Sequence, residues 1–278
     1  MVVADMMLEK NNDATSTQKI LHSVCRWCYD SIPLEDFCIA AKAMGIKSVE
    51  LLDTADFPVL ERHGLDCAMV TFPTGETQDG TKVGMIEKAF SRLEHHDTLE
   101  EIYTKKLHEC AAVGAKRLIC FSGNREGMDD AQGLDNCAVG LQRILPLAEE
   151  LGIILVMELL NSKVDHPDYM CDHTAWGVAL AERLSSPNFG LLYDIYHMQV
   201  MEGDVIATIR ANHRHFSHYH TGGVPGRNEI GTSQELNYPA IMRAILETGY
   251  NGYVGQEFIP TGADKLASLR QGIGICTV

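Results

Sequence analysis

Short apolar runs alternate along this chain with longer stretches of helical periodicity, from Ile20 to the C-terminal end. Eight runs read as strands: ILHSVCR, KSVELLD, DCAMVTF, KRLICFS, IILVMEL, FGLLYD, HFSHYH and YVGQEF. β-branched and aromatic residues in brief runs, separated by helical patterns, are the mark of repeated βα units. Helix signals fall between the runs. Pro33-Leu34-Glu35-Asp36 opens one helix, Asp97-Thr98-Leu99-Glu100 has the form of a capping box, and Gly45, Gly114, Gly152 and Gly249 stand where helices stop. The expected architecture is a single α/β domain, a (β/α)8 barrel over residues 18–278. A polar leader, expected to be disordered, precedes it over residues 1–17.

Four of the runs end on a residue that can bind a metal: Glu158, Asp194, His220 and Glu257, at steps of 36, 26 and 37 residues. Each step is about the length of a strand, a loop and a helix. Consecutive parallel strands present their carboxyl ends at one rim, so the four side chains are expected to converge there. Three carboxylates and an imidazole in one place repel unless a cation lies among them. Hard oxygen donors with one imidazole suit Mg²⁺, Mn²⁺ or Co²⁺, with zinc a further possibility. The longest gaps, Pro73 to Lys82, Gly123 to Asp130, Asn161 to Asp172 and Thr221 to Asn237, all follow a strand. They therefore belong to the same rim.

Other groups join this rim by position. His197 follows Asp194 by three residues and could face the site. In HFSHYH, alternate residues share a face, so His218 and His220 point inward and Tyr219 toward the helices. His220, nearer the carboxyl end, is the ligand candidate, and His218 a core or supporting group. Arg227 lies in Gly222-Gly223-Val224-Pro225-Gly226-Arg227-Asn228-Glu229, a loop without the phosphate-binding G-x-x-x-x-G-K-[ST] pattern. Its planar fork suits a carboxylate or oxyanion.

Composition narrows the partners. With 38 acidic and 23 basic residues the formal charge is −15, which disfavours a nucleic-acid backbone or an anionic membrane as the main partner. No run is long and apolar enough for a membrane span, and the nine cysteines fit buried reduced thiols of a cytoplasmic protein. Cys25 and Cys28 form a C-x-x-C that could serve redox chemistry or half a zinc site. No second such pair accompanies it, and a strand-end and rim position explain it equally. The expected partner is a small hydroxy-carbonyl or sugar-acid substrate, and a homo-oligomer is possible.

Glu158-Leu159-Leu160-Asn161-Ser162, Tyr193-Asp194-Ile195-Tyr196-His197-Met198-Gln199 with Glu202-Gly203-Asp204, Pro225-Gly226-Arg227 and Gly255-Gln256-Glu257-Phe258 resemble the hydroxypyruvate isomerase family. That family is one of the xylose-isomerase-like barrels, with ketose 3-epimerases and endonuclease IV. The resemblance implies one metal ion on Glu158, Asp194, His220 and Glu257, proton exchange by Glu158 and Glu257, and substrate contacts from His197 and Arg227. It implies interconversion of hydroxypyruvate and tartronate semialdehyde through an enediolate. Hydroxypyruvate isomerases that resemble this chain commonly carry glutamine where His220 stands, whereas the epimerases carry histidine. A ketose 3-epimerase is therefore the alternative. A metal-dependent phosphodiesterase and a non-catalytic sugar-acid-binding barrel are more distant ones.

Overall fold

The computed structural model describes residues 19–278, so the expected leader at 1–17 lies outside the described residues. Within them, seven parallel strands pair in the order β2-β1-β9-β8-β7-β6-β5. These are β1 (Leu21–Cys25), β2 (Ser48–Glu50), β5 (Arg117–Cys120), β6 (Ile154–Glu158), β7 (Phe189–Asp194), β8 (Phe216–Thr221) and β9 (Tyr253–Gln256); a small antiparallel hairpin, β3 (Gly75–Glu76) with β4 (Lys82–Val83), lies in the first long loop.

The run DCAMVTF, expected as the third barrel strand, is not a regular one. It nevertheless closes the ring. Leu51 N–H donates to Met69 O and Thr71 N–H to Leu52 O on one side, while Val70 N–H donates to Arg117 O and Ile119 N–H to Val70 O on the other. The irregularity begins at Leu51, whose φ of 57° breaks the extended backbone directly after Glu50. An aliphatic residue in the left-handed region cannot continue a ladder, so β2 is short and its neighbour pairs only at isolated points.

Helices cover the outside: α1 (Leu34–Ala43), α2 (Phe57–His63), α3 (His96–Ala112), α4 (Asp130–Leu151), α5 (Thr174–Leu184), α6 (Ile195–Met201), α7 (Val205–Asn212), α8 (Tyr238–Glu247) and α9 (Lys265–Cys276). Gly45, Gly114, Gly152 and Gly249 all take positive φ just past a helix end, as expected. The capping box at Asp97 does not form. α3 begins one residue earlier, at His96, continuing a 3-10 turn at Leu93–His95. Asp97 and Glu100 instead pair with Arg143 of α4, at 2.7 and 2.5 Å. An ion pair across two helices thus replaces the local cap.

Interior side chains of the strands and the inward faces of the helices form one continuous apolar core. Many of the buried polar residues, among them Glu50, Glu158, Asp194, His220 and Glu257, lie at or next to the carboxyl ends of strands, whereas others, such as His96, Lys106 and Asn136, lie in helices. Among the described residues no helix is long and apolar enough to cross a membrane, and all nine cysteines are free thiols.

Candidate active site

Glu158 is the last residue of β6, Asp194 the last of β7, His220 the last but one of β8, and Glu257 directly follows β9. The expected convergence is present: potential ligand atoms of all four lie within 4.8 Å of one another, and all four side chains are buried. Asp194 does two things at once. Its Oδ1 caps α6 by accepting the His197 N–H at 3.1 Å, which leaves Oδ2 buried and without a hydrogen-bond partner. Glu158 Oε1 is likewise buried and unpartnered. Two orphaned carboxylate oxygens beside an imidazole are a donor set that fits a hard divalent cation.

Glu257 is the most constrained member. Trp27 Nε1 donates to its Oε1 at 2.9 Å, and Arg227 Nη2 donates to its Oε2 at 2.6 Å. The His220 Nδ1 lies 3.0 Å from the same Oε2 and 3.5 Å from Glu158 Oε1. The Arg227 guanidinium also lies 3.7 Å from Asp194 Oδ2 and over the faces of Trp27 and Tyr196, at 5.2 and 5.7 Å. Arg227 lies in the glycine-rich loop that follows β8. Its side chain is only 12% exposed and already seated at the cluster, and its backbone is held at φ 58°.

These positions set the proton affinities. Burial, reinforced by Glu257, pushes the carboxyls of Glu158 and Asp194 above the usual range. Burial opposes the charge on Glu257 too, but His220 and Arg227 outweigh it and hold that carboxyl well below the usual range. Carboxylates with such divergent environments are the usual pattern of groups that exchange protons.

His197 is fully buried. Its Nδ1 accepts the Asn161 backbone N–H at 3.2 Å, so in the neutral ring the proton sits on Nε2. That Nε2 is unpartnered and 3.7 Å from Asp194 Oδ2, which makes it a donor facing the site. Burial, with Arg227 nearby, pushes its pKa well down and keeps the ring neutral.

The sequence reading missed Glu50. It ends β2 fully buried, and its Oε1 lies 2.8 Å from His218 Nε2 and 2.6 Å from His220 Nε2. His218, expected as a core or supporting group, thus joins His220 through one carboxylate. Gly255 makes room for them, since a Cβ there would come within 2.8 Å of both Glu50 Oε1 and the His220 ring. Cys25, at the end of β1, places its Sγ 3.6 Å from His220 Nε2. Cys28 lies in the following turn, and burial pushes both thiols up, away from the reactive thiolate.

A cavity of about 360 Å³ opens beside the cluster. Glu158, Glu257 and Arg227 line it together with Trp27 and His166.

The fold and this rim define a (β/α)8 barrel with a buried carboxylate–imidazole centre at the carboxyl ends of its strands. The chain belongs to the Xylose isomerase-like TIM barrel family, which it matches over residues 38–275. It is 26% identical over 239 residues to the "Putative hydroxypyruvate isomerase" of Homo sapiens, covering 80% of this chain and 83% of that protein. It is 25% identical over 243 residues to the "2-oxo-tetronate isomerase" of Cupriavidus necator, covering 84% and 89%. Among solved structures, an AP endonuclease, family 2, from Brucella melitensis superposes with a TM-score of 0.77 at 25% identity, over 92% of this chain and 99% of that one. The sequence similarity groups the chain with isomerase enzymes.

Proposed function

We propose that the protein is a metal-dependent isomerase of small hydroxy-carbonyl acids, interconverting hydroxypyruvate and tartronate semialdehyde. The observation that carries this reading is that Glu158 and Glu257 line one cavity together with Arg227, which donates to Glu257 at 2.6 Å. Glu158, Asp194, His220 and Glu257 would hold one divalent ion, Mg²⁺, Mn²⁺ or Co²⁺. When bound, such an ion polarises the substrate's carbonyl and hydroxyl oxygens and lowers the cost of forming an enediolate.

The chain's own groups supply the rest. The Arg227 fork binds the substrate carboxylate in the cavity it shares with Glu257. One glutamate takes the proton from C3 while the other delivers a proton to C2. The His197 Nε2–H donates to a substrate oxygen that gains negative charge. Trp27, by holding Glu257 Oε1, fixes the direction in which that carboxylate works.

His220 supports a second reading, a ketose 3-epimerase, because the related epimerases carry histidine where hydroxypyruvate isomerases carry glutamine. One experiment separates the two. Hydroxypyruvate, 2-oxo-tetronate and free ketoses are incubated with the chelated and the Mg²⁺-, Mn²⁺- or Co²⁺-reconstituted protein in D₂O, and deuterium incorporation is followed by NMR. Exchange at C3 of hydroxypyruvate with formation of tartronate semialdehyde is expected. Exchange confined to ketoses would select the epimerase.

Two substitutions probe the arrangement further. Arg227→Lys keeps a charge but loses the fork, so kcat/KM for hydroxypyruvate should fall about tenfold or more. An unchanged kcat/KM would remove Arg227 from the carboxylate site. Glu50→Gln removes the charge that orients the His220 ring. Calorimetric affinity for Mn²⁺ should then weaken about 10- to 100-fold, the usual effect of losing the outer partner of a ligating histidine. Unaltered affinity would mean that Glu50 only packs.

A further inference from the structure

The two halves of the barrel mouth differ in chemistry. β6, β7, β8 and β9 deliver the acids and the imidazole of the cluster except Glu50, which ends β2 against His218 and His220 and does not line the cavity; β2, the closing segment and β5 deliver only apolar groups to the cavity apart from Thr71. Leu51 follows β2, Phe72 ends the closing segment, Ile119 and Phe121 lie in and just after β5, and Ile86 and Leu160 complete the wall. Phe72 and Phe121 pack edge to face at 5.1 Å, so this wall is a built surface.

A three-carbon acid held at Arg227 between Glu158 and Glu257 leaves most of this wall untouched. A chain of hydroxyls extended across it would lose hydrogen bonds to water and meet almost no donor or acceptor in return. Hydrocarbon placed there would leave water at no such cost. Resting on the isomerase reading above, we propose that the substrate is a 3-hydroxy-2-oxo acid whose C3 carries an apolar alkyl or aryl group, seated on the half of the mouth formed by β2, the closing segment and β5.

The reaction remains balanced within one molecule. In R–CH(OH)–CO–COO⁻ the C3–H bond breaks and a C2–H bond forms. The C3 hydroxyl loses its proton as it becomes a carbonyl, and the C2 carbonyl gains one as it becomes a hydroxyl. C3 is oxidised by the two electrons that reduce C2, and the product is R–CO–CH(OH)–COO⁻. No co-reactant is required.

The test compares hydroxypyruvate, its isobutyl-substituted analogue at C3, and a 2-oxo sugar acid of the same chain length, by deuterium exchange and by turnover with the metal-reconstituted protein. Each buried methylene is worth about fourfold, so kcat/KM for the isobutyl acid should exceed that for hydroxypyruvate by about tenfold or more, and the sugar acid should gain nothing. Ile86, half-buried in the loop between β4 and α3, is replaced in Ile86→Ser. This should cut the ratio of the isobutyl acid's kcat/KM to that of hydroxypyruvate severalfold, with Phe72→Ser as the second variant. A binding arm titrates the isobutyl 2-oxo acid that lacks the hydroxyl, and pyruvate, into the protein with and without divalent cation. The isobutyl acid should bind about tenfold more tightly or better.

Turnover of hydroxypyruvate equal to or better than that of the isobutyl acid overturns the inference and leaves the isomerase reading intact. Tighter binding of the isobutyl acid with no exchange on any acid supports the apolar seat and overturns the isomerase reading. Equal binding of the isobutyl acid and pyruvate overturns the inference whatever the turnover.

Discussion

Glu158→Gln and Glu257→Gln are each expected to lower turnover of the metal-reconstituted protein by on the order of 10² or more, the usual contribution of a positioned acid or base. The two variants should differ in stability. Glu158 Oε1 has no hydrogen-bond partner, and the carboxyl is crowded by Glu257. An amide there relieves repulsion, so the melting temperature of the metal-free protein should hold or rise. Glu257 is the closest partner of the Arg227 guanidinium, which is almost wholly buried. Neutralising it leaves a buried charge poorly compensated, at a cost of about 3 kcal/mol. Steady-state kinetics at saturating metal, with thermal unfolding of both variants, checks this. Near-normal turnover in either variant would end its assignment as a proton carrier.

Chelation should also cut turnover by about 10² or more, with recovery on adding Mg²⁺, Mn²⁺ or Co²⁺. Glu158, Asp194 and Glu257 bring three buried carboxylates together, and Arg227 with His220 offsets them only by pairing mainly with Glu257. The oxygens of Glu158 and Asp194 that lack partners have most to gain from a cation. A second readout is independent of activity. An ion that binds only the folded protein stabilises it by about 2.7 kcal/mol at a hundredfold excess over Kd, so the melting temperature should rise with metal concentration. A melting temperature indifferent to all three ions, with activity surviving chelation, would remove the metal from the reading.

The barrel and the meeting of four strand-end side chains were legible in the chain itself. Parallel βα units put every strand's carboxyl end on one rim, so an apolar run that ends on an acid or histidine carries its own spatial address. That rule pointed to Glu158, Asp194, His220 and Glu257, which stand at or one residue short of the end of their runs. It missed Glu50, although Leu51-Leu52 follows it just as Leu159-Leu160 follows Glu158. Nothing in the local sequence announces that the strand stops at Glu50, where the backbone turns to the positive φ of Leu51.

Only the tertiary structure decided the rest. The bond from Trp27 to Glu257 spans 230 residues, and the short contacts of Glu50 to His218 and His220 span 168 and 170. Periodicity describes which face of an element a residue occupies, not which distant side chain meets it there. The division of the mouth into a charged half and an apolar half has the same origin. Leu51, Phe72, Ile119 and Phe121 look like ordinary core residues when read in order. They become a cavity wall only because the ring closes and brings them to one cavity with Glu158, Glu257 and Arg227.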